Sequence, residues 1–258
     1  MEKPIVIFTD HITSKTVCYN FAKGSDSLLC HVNKFREYNK TIATYGVLRG
    51  TLETIRMVKN YFYIDHGYFN QSKRSFENKS TNIINLDGYF RVVHNNLIHD
   101  GKGNFPDDRL KKLNLKISEQ KNSGSHIILS EPSEIMKKTY NVPDWTKNTL
   151  KQVKKYSDRK IIIHNKFSKE PLNFLLKNAW AFISLQSTAG FTAMLKGVPS
   201  YFTDISLENI GKIEDIENPT IDYKIFNNLA YGQWTLKEME TGEAWENIKK
   251  LTRKISSN

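Results

Sequence analysis

The segment from Ala179 to Phe202, Ala-Trp-Ala-Phe-Ile-Ser-Leu-Gln-Ser-Thr-Ala-Gly-Phe-Thr-Ala-Met-Leu-Lys-Gly-Val-Pro-Ser-Tyr-Phe, limits the folds open to this chain more than any other. Trp180 to Leu185 is apolar except for Ser184, the pattern of a parallel strand covered on both faces. Gln186, Ser187 and Thr188 then break the run with side chains suited to a helix N-terminus. Phe191, Met194 and Leu195 follow at helical spacing, Gly197 and Pro199 end the helix, and a second apolar strand comes next. A unit of this kind calls for a sheet with parallel strands. Its helix begins at Ser187, Thr188, Ala189 and Gly190, where backbone N–H groups and the positive dipole end look out beyond the sheet. Small side chains there let an anion approach, so residues 187–190 are read as a phosphate seat.

The same rhythm recurs elsewhere. Ile5 to Thr9, Lys40 to Val47 and Tyr61 to Ile64 read as strands, with a helix over Gly50 to Asn60. Ser125 to Ser130 and Lys160 to His164 are further apolar strands, separated by a helical segment centred on Asp144 to Tyr156, and Pro171 to Asn178 reads as another helix. Between Gly67 and Asn122 aromatic, basic, Asn and Gly residues mix without period, as functional loops do. Trp234 to Lys254 reads as one terminal helix. The expected fold is α/β, with two Rossmann-like lobes and a cleft between them. Residues 1–120 form the first lobe, 121–230 the second, and 231–258 a helix packing back. Ligands in such sheets bind beyond the carboxyl ends of the strands. Ser130 to Ser133, His164 to Lys166 and Gln186 to Thr188 all fall at strand ends of that kind.

The formal net charge of the 258 residues is +11. Two explanations stand level: an anionic partner such as nucleic acid, a lipid surface or a phosphorylated substrate, or AT-rich coding that favours Lys and Asn. Cys18 and Cys30 are too few for a disulfide framework and lack metal-ligand spacing, which points to a reducing compartment. No apolar run is long enough to span a bilayer, and the first residues do not have the form of a secretory signal, so a cytoplasmic protein is expected.

Residues 187–199, Ser-Thr-Ala-Gly-Phe-Thr-Ala-Met-Leu-Lys-Gly-Val-Pro, resemble the donor-binding segment of GT-B glycosyltransferases, closest to the capsule-polysaccharide type. Thr192 stands where that type carries an acidic residue. The wider chain is similar to glycosyltransferase-like proteins of bacteriophages and bacteria. Its landmarks are Tyr-Ile-Asp-His-Gly-Tyr-Phe (63–69), Gly-Tyr-Phe-Arg-Val (88–92) followed by Asn95, and Gln-Trp-Thr-Leu (233–236). The resemblance implies sugar transfer from a nucleotide-sugar donor, taken as UDP-linked, without a bound metal or other cofactor. The second lobe would hold the nucleotide and the first the acceptor. A 5-hydroxymethylated pyrimidine in phage DNA is the expected acceptor, with a cell-surface or capsular glycan as the rival. A nucleotide-sugar epimerase and a non-catalytic nucleic-acid-binding protein are the readings outside that class.

On these terms Ser187, Thr188, Ala189 and Gly190 cradle the donor diphosphate, and Lys166, taken to end the neighbouring strand, neutralises it with help from His164. Ser130 and Ser133 reach the base or ribose. Asp65, directly after an apolar strand, is placed to take a proton from an acceptor hydroxyl, with His66 as the alternative base. Tyr68, Arg91, Asn95 and His99 are the expected acceptor contacts, since interleaved aromatic and basic residues suit a base with its phosphates or a sugar chain.

Overall fold

The computed structural model describes residues 2–76 and 84–255, so residues 77–83 of the aperiodic region lie outside the described residues. The chain opens with β1 (Ile5–Phe8), α1 (Ile12–Ser25), β2 (Leu29–His31), β3 (Ile42–Tyr45), α2 (Thr51–Met57) and β4 (Tyr61–His66). The aperiodic region contributes β5 (Lys73–Phe76), β6 (Ile84–Asp87), β7 (Tyr89–His94) and α3 (Asp108–Lys112). Next come β8 (His126–Ser130), α4 (Glu134–Tyr140), α5 (Trp145–Val153), β9 (Lys160–His164), α6 (Leu172–Leu175), β10 (Ala179–Ser184), α7 (Thr188–Leu195) and β11 (Ser200–Phe202). The chain closes with α8 (Lys224–Ala230), β12 (Gln233–Thr235), α9 (Leu236–Glu240) and α10 (Glu243–Ile255). Among the described residues no helix is long and apolar enough to cross a membrane.

The chain is α/β and divides into two units, residues 1–99 with 229–258, and residues 100–228. The first unit holds a six-stranded sheet in the order β12-β7-β4-β3-β1-β2. Four neighbouring strands, β2, β1, β3 and β4, are parallel, whereas β7 runs antiparallel to both β4 and β12. The sheet is therefore mixed, where the β–α–β rhythm alone suggested a parallel one. Trp234, expected in a helix, lies fully buried in β12 instead. It packs in one core with Phe21 of α1, Phe62, Phe90, Met239 and Trp245. A capping box at Thr235 and Glu238 then starts α9, so the tail is a strand and two short helices rather than one long one.

The second unit holds a four-stranded, all-parallel sheet in the order β11-β10-β8-β9. β8 is followed in sequence by β9 on one side, and the chain then crosses back to place β10 on the other. Alternate residues of β8 face opposite layers, as a two-sided strand requires. Ile127 and Leu129 pack with Trp145 and Val153 of α5, while Ile128 packs with Leu175 of α6 and Ala193 of α7. The connection leaving β8 thus covers one face and the connection leaving β10 the other. Their diverging starts leave a crevice between β8 and β10, the topological switch point where open α/β sheets take ligands.

Candidate functional site

A pocket of about 240 Å³ occupies that crevice. It is lined by Ser130, Glu131, Pro132, Ser133 and Met136 after β8, and by Ser184, Leu185, Gln186 and Ser187 after β10. The register of the strands brings the linings together: Ser184 lies beside Ser130, and Ser130 beside His164. The three polar clusters expected at strand ends do share one sheet edge.

Glu131 ties the rim together. Its carboxylate accepts from Lys137 Nζ at 3.0 Å, Thr146 Oγ1 at 2.9 Å and Asn165 Nδ2 at 3.2 Å. Those bonds, the one from Lys137 foremost, hold its pKa below the usual glutamate value. Ser133 caps α4 by accepting from Met136 N. Gln186 departs from the rule that buried polar atoms are paired. It is only 7% exposed, and its Nε2 finds no hydrogen-bond partner among the described residues. Sequence reading takes Gln186 for a turn residue; its burial against the pocket could not be foreseen from its identity.

The start of α7 differs from the expectation. Ser187 N donates to Ser184 Oγ, Ala189 N to Ser187 Oγ and Gly190 N to the Ser187 carbonyl. These amides are occupied by a local cap rather than held open for a diphosphate. Thr188 follows the cap, its carbonyl accepting from Thr192 Oγ1. Gly190 is small for a packing reason: a Cβ there would lie 2.6 Å from Cζ of Phe202. Lys166 does not end the strand neighbouring β10, because β8 stands between β9 and β10. At roughly 4.8 Å per strand its backbone is displaced by about 10 Å from that of α7's strand. Its ammonium sits 4.8 Å over the Phe167 ring instead. His164 Nε2 lies 3.2 Å from the Glu170 carbonyl, a contact within its own loop. Among the described residues no cationic side chain lines the pocket. Serine hydroxyls, an amide and the apolar walls of Pro132, Met136 and Leu185 suit a neutral, flat, hydrogen-bonding group better than a diphosphate.

In the first unit, Asp65 and His66 end β4 together, as expected. Asp65 is heavily engaged: Oδ2 accepts from Tyr63 O–H at 2.6 Å and Arg91 Nη2 at 3.0 Å, and Oδ1 accepts from His66 N at 2.8 Å. Burial, and after it the Asp65 charge, pushes the Tyr63 phenol well above its ordinary pKa. Arg91 also donates to the carbonyls of Leu97 and His66, at 3.1 and 2.7 Å. Asp65 and Arg91 therefore form a clamp on the strand end. His66 is exposed, with Nδ1 2.8 Å from Ser72 Oγ and Nε2 3.4 Å from Tyr45 O–H. Of the two candidate bases, the imidazole is the more exposed, with both ring nitrogens within hydrogen-bond reach of a hydroxyl.

Three of the four expected acceptor residues lie together, the Arg91 guanidinium 6.0 Å from the Tyr68 ring and the His99 backbone against the Tyr68 hydroxyl, whereas Asn95 lies apart. Tyr68 is 2% exposed and its hydroxyl accepts from the His99 backbone N–H at 2.8 Å. Asn95 sits at φ 53° and closes the turn before β4, accepting from Tyr61 N at 2.8 Å. That is the amino end of β4, roughly 17 Å from His66 at about 3.3 Å per residue. Gln233, wholly buried, accepts from the amides of Tyr68 and Phe69 at 2.7 and 2.9 Å, so the landmark blocks at 63–69 and 233–236 are stitched to each other.

No protein-family model matches the chain. A comparison with curated proteins finds no relative. What the site binds is therefore read from its own residues.

Proposed function

We propose that the protein is a metal-independent GT-B-type glycosyltransferase that moves a sugar from a nucleotide donor to a hydroxyl acceptor. In that arrangement the second unit is the donor lobe and the first the acceptor lobe, both Rossmann-like. The observation that carries the reading is the pocket at the switch point of the parallel sheet, with buried, unpartnered Gln186 in its wall. The likeness of residues 187–199 to a donor-binding segment supports the same place.

The donor's nucleoside, rather than its diphosphate, is the part assigned to the pocket. Pro132, Met136 and Leu185 offer apolar surface to a ring, and Ser130, Ser133 and Gln186 offer hydrogen bonds to its edge or to ribose hydroxyls. A volume of about 240 Å³ lies just under the roughly 300–1,000 Å³ common for whole ligands, in keeping with a nucleoside whose phosphates and sugar project outward. His66 is the group assigned to deprotonate the acceptor hydroxyl in an inverting reaction, with Asp65 and Arg91 holding the end of its strand.

The acceptor is assigned as a 5-hydroxymethylated pyrimidine in DNA on the likeness of the wider chain to glycosyltransferase-like proteins of bacteriophages, a reading with which the net charge of +11 is compatible. A panel of nucleotide sugars, offered with hydroxymethylcytosine DNA, hydroxymethyluracil DNA and unmodified DNA and read by nucleoside mass spectrometry, tests donor and acceptor together. A hexose- or pentose-sized mass gain confined to a hydroxymethylated base is expected. No gain on any DNA, with nucleotide release on glycan acceptors, would reject the acceptor; no turnover or release with any donor would reject the transferase.

A further inference from the structure

We infer that the exposed face of α5 is a contact surface for a nucleic-acid backbone, whether or not the protein transfers a sugar. Lys147, Lys151, Lys154 and Lys155 are all exposed and fall at positions i, i+4, i+7 and i+8. Lys147 and Lys151 lie on α5, Lys154 caps its end and Lys155 follows in the turn; at about 100° per residue the first three lie within an arc of roughly 60°, in a row about 10 Å long. The opposite face, Trp145, Thr149 and Val153, is buried. None of the four lysines has an ion-pair partner among the described residues. Some lysines on other helices are matched at helical spacing: Lys137 with Glu134, Lys237 with Glu240, and Lys249 with Glu246. On α5 Lys151 instead has Lys147 four residues before it, a like-charge pair that opposes the helix by about 0.2–0.5 kcal/mol, with Lys154 and Lys155 just past the helix end. The nearby carboxylate of Glu217 is already held by Arg159 and Ser157.

A row of unpaired cations kept together against that repulsion matches a line of phosphates. It does not match a membrane, because α5 spends its apolar face on the core with β8 and β10 and has none left to insert. Tyr156, 40% exposed just beyond the row, adds an aromatic surface of the kind that accompanies basic nucleic-acid contacts.

Anisotropy of a fluorescent 20-base-pair duplex, titrated with full-length protein between 50 and 200 mM salt, tests the inference. Four phosphate contacts give a fall in affinity of about 150-fold over that range, from a log–log slope near −3.6. Lys147→Gln with Lys151→Gln should shrink the fall to about 12-fold, with a slope near −1.8. Both positions are exposed and glutamine favours helix, so far-UV circular dichroism should be unchanged. The control, Lys3→Gln with Lys40→Gln, removes the same charge from lysines already paired with Asp26 and Glu2 and should leave the slope alone. Three results would each overturn the inference: duplex binding without this salt dependence, equal weakening by the control pair, or binding to phosphatidylserine vesicles but not to the duplex.

Discussion

Replacing Asp65 with Asn separates a clamp from a general base. The Asp65 carboxylate accepts three hydrogen bonds, of which the one from Arg91 is an ion pair at 3.0 Å between side chains 27% and 12% exposed. Asparagine keeps one acceptor oxygen but turns an amide donor towards groups that donate, and the guanidinium cannot reverse its role. Arg91 would retain its carbonyl partners at Leu97 and His66. The loss is then one charge-assisted bond in a site that water reaches poorly, worth about 2 kcal/mol. For a chain of this size that corresponds to a fall in Tm of roughly 4–8 °C. Differential scanning fluorimetry and urea denaturation of Asp65→Asn beside the parent protein provide the measurement. A lowered Tm, with transfer activity retained at temperatures where the variant is folded, is the expected result. An unchanged Tm with activity abolished would refute the clamp and restore Asp65 as the base.

Other substitutions report on the second unit. Gly190→Ala places a methyl against Phe202, itself 5% exposed and 5.2 Å from the Phe191 ring, so overpacking of about 1–3 kcal/mol should outweigh the up to ~1 kcal/mol helical gain from alanine. A urea midpoint that rises, together with lost nucleotide binding, would instead make Gly190 a ligand contact. Because the hydrogen bond from Lys137 and its companions depress the Glu131 pKa, the stability this group contributes is complete above its unfolded value of about 4.3 and is lost as pH falls through the lower folded value. Glu131→Gln should flatten that acid limb in thermal melts run from pH 6 to pH 3; an unaltered limb would show that other carboxylates account for it.

Much of the second unit was legible because its strands are short apolar runs with polar ends. β9 occupies the residues read for it, and α7 starts at a Ser187 cap and stops at Gly197, which takes φ +73°. What periodicity cannot encode is the order of strands in a sheet. Residues 160–164 and 179–184 are consecutive strands in sequence, yet β8 lies between them, and that alone removes Lys166 from the start of α7. The same gap hides β7 and β12, whose antiparallel pairing joins residues 89–91 to residues 233–235 across most of the chain. Three residues of strand, such as those around Trp234, carry too little alternation to be told from the start of a helix. The first unit's candidate residues show a further limit of the sequence: Tyr68, Arg91 and Asn95 have chemistry suited to a ligand, and their polar atoms also serve the loops and strand ends around them. Partnering of this kind depends on distances that only the fold supplies.

On the proposed reading Gln186, whose Nε2 is enclosed and unpaired, turns its amide into the pocket to meet a ligand. Gln186→Leu, near-isosteric, removes an unsatisfied buried N–H whose cost is about 1–3 kcal/mol, so the ligand-free protein should become more stable. Isothermal titration of UDP and UDP-sugars into both proteins is the direct measurement. The account predicts that the parent binds and that the more stable variant binds at least about tenfold more weakly, the loss of one hydrogen bond of about 1.4 kcal/mol. Equal affinity in the two proteins, or a variant that is less stable and still binds, would contradict it.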